Sequence, residues 1–206
     1  AARFMPGRRV LSEAEANAVG VHEKYAGDCS DNVLMTSRGG HRYDRAFLEA
    51  FVKPGIGLEN WTSRTNYPAH GVVQTGKHEL SVYIQKNYGQ PTGHIERYTL
   101  RPDGFASVRA PYAGGELMTK PLVFSGGALY LNFATSAAGD IRVELQRPDG
   151  TPIEGHTLAD SAVILGDMLD RVVRWNGSDD VSALAGKPVR IRFVMRDADL
   201  YAIQFR

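Results

Sequence analysis

Apolar residues in this chain recur at period two in short runs of about four to eight residues, and Gly, Pro, Asn or Asp falls between nearly all of them. A side-chain period of two is that of a β-strand with one face buried and one in water. The last ninety residues show it most clearly. A short capped turn, Asp179 to Gly186, leads into Ile191, Phe193 and Met195, which alternate with Arg190 and Arg192 and are followed by Arg196. One stretch near the start reads differently. Ser12 stands three residues before Glu15, the spacing of a reciprocal capping box, and Gly20 supplies a stop. The segment from Leu11 to Val19 is therefore predicted as one short helix in an otherwise all-β chain.

Turn residues divide the remainder. A strand from Asn32 is predicted to turn at Gly39-Gly40 and return through Tyr43. A loop rich in Pro54, Gly55, Gly57, Asn60, Asn66 and Pro68 follows. Val72 to Thr75 and Leu80 to Ile84 form a predicted hairpin around Gly76-Lys77, and His94 to Leu100 is the next strand. Pro102-Asp103-Gly104 is a strong turn and marks the predicted domain boundary. Residues 1–103 are then a propeller-blade-like antiparallel meander and residues 104–206 a jelly-roll-like β-sandwich. The sandwich strands are predicted as Phe105–Val108, Leu117–Phe124, Leu129–Thr135, Ile141–Gln146, Val172–Trp175, Val189–Met195 and Leu200–Phe205.

Charge and length exclude some classes. Twenty-four basic residues oppose twenty-three acidic ones in 206, so a net charge of +1 gives no electrostatic reason to expect nucleic acid or an anionic membrane surface. No apolar run approaches the roughly 20 residues that span a bilayer. Cys29 is the single cysteine, which rules out an intrachain disulfide and leaves the redox compartment open.

The stretch Met35-Thr36-Ser37-Arg38-Gly39-Gly40-His41-Arg42-Tyr43 resembles a blade strand of five-bladed propeller glycoside hydrolases of the family 32 and family 43 type. Arg64 to Ala69, Arg97 to Phe105, Gly114 to Leu122 and Asp197 to Tyr201 resemble further parts of bacterial proteins of that group. The resemblance runs from about Tyr25 to the end of the chain and implies a C-terminal β-sandwich after a propeller. A complete propeller needs about twenty strands, and residues before Gly104 have room for two blades. The family's aspartate nucleophile and glutamate acid motifs are not found. The resemblance thus implies a C-terminal piece of such a protein or a reduced relative, secreted or periplasmic, acting on a poly- or oligosaccharide.

Two groups of residues suit that chemistry. Asp28 and Asp31 are carboxylates three residues apart, flanked by Gly27 and Ser30, and are the candidate catalytic pair. Glycoside hydrolysis places two carboxyl groups roughly 5–5.5 Å apart for retention or about 6.5–9.5 Å for inversion. The same spacing suits a turn in which an Asp accepts from backbone amides. Trp61, Arg64, Asn66, Tyr67 and His70 form a polar–aromatic cluster on the long loop, and Tyr88 before Gly89 adds a second stacking surface. Sugar rings offer an apolar face to an aromatic ring and hydroxyls to amide or guanidinium donors. Trp61 and Tyr67 equally suit pinning the loop to a core.

Trp175 reads as a core residue. The six histidines have no zinc spacing, and Asp179, Asp180, Asp197 and Asp199 have no calcium-loop spacing, so neither a metal nor a cofactor is expected. Three functions follow. One is a glycan-binding accessory module, and another a small glycosidase using Asp28 and Asp31. The last is a structural sandwich docking a missing propeller or partner chain, whose open blade edges predict a homodimer or association with the missing half.

Overall fold

The computed structural model describes residues 1–206, and its strands form three antiparallel sheets, none closed on itself. The protein is all-β. No helix is long and apolar enough to cross a membrane. The chain divides into two compact units, Ala1–Leu100 and Arg101–Arg206.

In the first unit β1 (Ala2–Pro6) is followed by the helix α1 (Glu13–Ala18), β2 (Asp28–Val33) and β3 (Ala50–Val52). The Ser12 side chain accepts from the Glu15 backbone amide while the Glu15 carboxylate accepts from Ser12 N–H, so both halves of the capping box are present. The helix buries Ala16 against Leu11, Val21 and Ala26. β2 is central in its sheet, with β1 and β3 at the edges. The run Asp28-Cys29-Ser30-Asp31-Asn32-Val33 has little intrinsic strand preference. It becomes a strand because β1 pairs along its whole length, setting Arg3 opposite Asp31 and Phe4 opposite Ser30. The turn that the Asp28–Asp31 spacing also suited is thus a strand. The expected Gly39-Gly40 hairpin is reduced to one bridge between Thr36 and Asp44.

The second sheet contains β4 (Tyr67–Pro68), β5 (Val73–Gly76), β6 (Glu79–Lys86) and β7 (His94–Leu100). β7 pairs with β6 from Leu80 to Lys86, and β5 and β4 pair with successive parts of β6. Much of this unit's interior is polar. Ser30, Asn32, Thr62, Ser63, Thr65, Asn66, Ser81, Lys86, Asn87 and Gln90 are all buried. Ser30, Thr62, Ser63, Thr65, Asn66 and Lys86 hold position through hydrogen bonds of their side chains.

The second unit has β8 (Val108–Ala110), β9 (Gly115–Met118), β10 (Leu129–Gln146), β11 (Asp167–Val172) and β12 (Arg190–Phe205) in one sheet. Sequence periodicity divides β10 and β12 into two strands each, whereas both run unbroken through bulges. Tyr201 is one extra residue between the pairs Asn132–Ala202 and Phe133–Leu200. Asp197 is another, at φ 42°, opposite the longer excursion between Thr135 and Asp140. Each bulge switches the buried phase of β12: Ile191, Phe193 and Met195 face the core, then Ala198 and Leu200, then Ile203 and Phe205. Gly139 lies where a Cβ would collide with the carbonyl oxygens of Arg196 and Asp197. Phe124 stacks on Phe205 with ring centres 3.8 Å apart, and Trp175 is buried with its indole N–H donating to Val143 O at 2.8 Å.

Candidate functional site

The candidate residues lie in the first unit, on β2 and on the segment 61–67. Side chains along a strand alternate sides, so Asp28 and Asp31, an odd number of positions apart, project to opposite faces of β2. Each meets its own arginine. Asp31 accepts from Arg3 Nε at 2.8 Å and Nη2 at 2.5 Å, and Asp28 lies 3.6 Å from Arg64 Nε. The expected carboxylate pair is therefore not assembled, because strand pleating separates what a loop could have brought together.

Segment 61–67 is tied down at alternating pairs of residues. Thr62 Oγ1 donates to Ala26 O at 3.3 Å, and Ser63 N–H donates to Tyr25 O at 3.0 Å. The Ser63 hydroxyl donates to Tyr88 O, and the Ser30 hydroxyl donates to Thr65 O. Asn66 Nδ2 donates to Ser30 O at 3.0 Å while its Oδ1 accepts from the Lys86 ammonium. Ser63 and Asn66 both have positive φ, 68° and 62°, and these two kinks leave Trp61, Arg64 and Tyr67 facing outward.

Asn66 is thus removed from the candidate ligand contacts: it is sealed, and both ends of its amide are occupied. Lys86 beside it donates to Pro54 O at 2.9 Å as well, and burial lowers its pKa from the usual lysine value. Tyr67 packs its ring against Phe4 at 5.0 Å and remains partly open. His70 lies exposed beyond β4.

The outward residues fall into two groups. In one, the Arg64 guanidinium lies 5.5 Å from the centre of the Tyr25 ring, and Tyr25 meets Tyr88 edge-on at 5.2 Å. Hydrogen bonding of the Tyr88 hydroxyl with that of Tyr25 raises the Tyr88 pKa. Lys24 and His22 approach the same Tyr25 ring. The other group surrounds a cleft of about 600 Å³, walled by β1, β2 and the segments carrying Lys53 to Gly55 and Trp61. The Trp61 indole N–H donates to Gly55 O at 2.8 Å, which fixes the ring at the cleft wall with 39% of the residue exposed. Asp31 with Arg3 supplies hydrogen-bonding groups to the same cleft, and Met5 and Val10 supply apolar surface. Cys29 lies there too, its thiol pKa raised by burial.

An ordered aromatic face next to planar donors and acceptors can hold a ring that is apolar on its face and hydroxylated at its edge. No group of three or more His, Cys, Asp or Glu side chains is placed to hold a metal ion. Sequence reading named Trp61 and Asp31 but not that they share a cleft. It missed Arg3, Arg8, Lys53 and the stacking role of Tyr25. Arg3 had no local signal, because only the β1–β2 register sets it opposite Asp31. No protein-family model matches the chain, and neither a curated protein nor a solved structure matches it.

Proposed function

We propose that the chain is a carbohydrate-associated, glycan-binding module whose sugar site is the cleft beside Trp61. The observation that carries this reading is the Trp61 ring, held at a cleft wall by its own N–H bond and half-open to solvent. A residue serving only as a loop anchor would be covered. Arg3 and Asp31 in the same cleft offer donors and acceptors to sugar hydroxyls, and the Tyr25–Tyr88–Arg64 group offers a second aromatic surface. On this reading residues 1–100 supply blade-like sheets and residues 101–206 a jelly-roll-like sandwich. They resemble the C-terminal part of a five-bladed propeller glycoside hydrolase, a secreted bacterial protein of polysaccharide degradation. The likeness rests on the residue sequence of Met35–Tyr43, a stretch that folds as a bend closed by the single Thr36–Asp44 bridge. The separated carboxylates favour binding over hydrolysis.

The protein carries its own reporter, since its other tryptophan, Trp175, is only 2% exposed. Titration with neutral and acidic oligosaccharides should shift Trp emission in a saturable way. Trp61→Phe should abolish that shift and weaken binding about tenfold, measured by calorimetry. If none of a panel of plant and microbial oligosaccharides perturbs the emission at millimolar concentration, the reading is wrong.

A second reading, docking of a propeller or a second copy, is favoured by one observation. Of the large hydrophobic side chains left exposed, fourteen lie in residues 1–100 and seven in residues 101–206, so the apolar surface is concentrated in the first unit. Light scattering that gives a monomer at all concentrations tested removes the homodimer form of this reading.

A further inference from the structure

We infer that the Trp61 cleft selects an acidic sugar, one bearing a carboxylate such as a uronic acid, through Arg8 and Lys53. This deepens the glycan-binding reading and rests on it.

The argument is one of unmatched charge. Three cations line the cleft, Arg3, Arg8 and Lys53, against one carboxylate, Asp31. Arg3 and Asp31 neutralise each other through a two-pronged contact at 2.8 and 2.5 Å. Arg8 and Lys53 are exposed and enter no ion pair. Two positive charges therefore remain at a cleft in a chain whose net charge is only +1. The rest of the wall beside Trp61 is largely apolar, which rejects a small hydrated anion as the whole ligand. A ring able to stack on the indole while presenting a carboxylate to the two cations meets both conditions. A neutral sugar uses the indole and leaves the cations idle. A bare anion does the reverse.

Charge-assisted bonds are the stronger class, and unpaired cations around a partly enclosed space give both selectivity and salt dependence. The Arg3–Asp31 pair is the remaining polar feature, and it suits the ring hydroxyls, since an arginine already held by a carboxylate has donors left but no net charge to offer.

The probes are a trimer of galacturonic acid, its methyl ester, and inorganic phosphate, each titrated into the full chain with Trp61 emission and calorimetry as readouts. The acid trimer should bind about tenfold tighter than its methyl ester, and the difference should shrink as salt is raised. Arg8→Gln and Lys53→Gln should each weaken the acid about fivefold and leave the ester unchanged. Both positions are exposed, and unchanged melting curves will show that the variants fold. Equal binding of acid and ester overturns the acidic preference while leaving glycan binding intact. No binding of either trimer, with other oligosaccharides bound elsewhere on the protein, overturns the cleft assignment, and failure of every sugar removes the glycan reading itself. Phosphate displacing the acid trimer at equal concentration reduces the site to a general anion site and overturns the proposal. Retention of the acid preference in the double variant Arg8→Gln/Lys53→Gln does so too.

Discussion

Replacing Asn66 by alanine tests whether its amide is a structural rivet or a ligand contact. The residue is fully buried at φ 62°, with Nδ2 donating to Ser30 O at 3.0 Å and Oδ1 accepting from Lys86. Alanine in the left-handed region costs roughly 1–2 kcal/mol. Stripping the buried Ser30 carbonyl of this donor costs roughly 1–3 kcal/mol, and removing one of the two acceptors of a buried ammonium roughly 1.5–3 kcal/mol. The lower ends of these ranges together come to about 3.5 kcal/mol, a large part of the 5–15 kcal/mol that ordinarily separates folded from unfolded. Asn66→Gly loses the same bonds without the backbone penalty, so it should cost about 1 kcal/mol less than Asn66→Ala.

Equilibrium unfolding in urea measures this directly. Trp61 reports on residues 1–100, and its transition is identified by its disappearance in Trp61→Phe. The midpoint of that transition should fall by about 2 M in Asn66→Ala, for a slope near the middle of the roughly 1–3 kcal/mol per M found for small proteins. A loss under about 1 kcal/mol would refute the argument. Such a loss together with abolished oligosaccharide binding would return Asn66 to the list of sugar contacts.

Two further outcomes follow from other parts of the molecule. His94 Nδ1 donates to Thr92 O (2.8 Å) and Nε2 faces the Glu96 carboxylate (3.3 Å), and these acceptors raise its pKa, the Thr92 carbonyl first. A raised histidine pKa stabilises the fold below the unfolded value near 6.5, and the effect is lost as pH rises through the folded value. The stability gap between the native chain and His94→Gln should accordingly be present at pH 5 and close above neutrality, with the folded pKa read from NMR titration of the imidazole. A gap that widens with pH would contradict the contacts. Gly139→Ala drives a methyl group into the Arg196 and Asp197 carbonyls at the β10–β12 bulge and should cost about 2 kcal/mol in urea unfolding followed through Trp175. A neutral result would mean that the excursion between Thr135 and Asp140 yields freely.

What could be read from the sequence was local chemistry. Ser12 and Glu15 find each other within one turn of chain, and the expected hairpin between β5 and β6 forms one residue later than read, with Gly76 paired to Glu79 and Lys77-His78 as the turn. Trp175 is in the core as its type suggests. What escaped was set by distant partners. β2 carries four polar residues in six and is a strand because β1 and β3 flank it. The hydrogen-bond anchors of residues 62–66 lie between 20 and 38 residues away along the chain, so composition marked the loop as polar and aromatic without saying which side chains face out. Asn66 looked like a sugar-binding amide for that reason. β12 read as two strands because its alternation loses phase at Asp197 and Tyr201.

That loss of phase bears on how the chain can change length. Within Ile191–Met195 an inserted or deleted residue would send every later side chain of β12 through the sheet, turning Phe205 from its stacking partner toward solvent. At Asp197 and Tyr201 the ladder already carries a residue without an opposite number. Removing Tyr201 restores a regular pairing, and removing Asp197 leaves only the β10 excursion between Thr135 and Asp140 unmatched; either change keeps Leu200, Ile203 and Phe205 on their original side. The two bulges are thus the joints at which this long strand can be shortened by evolution, or trimmed by an engineer, without exchanging its inside for its outside.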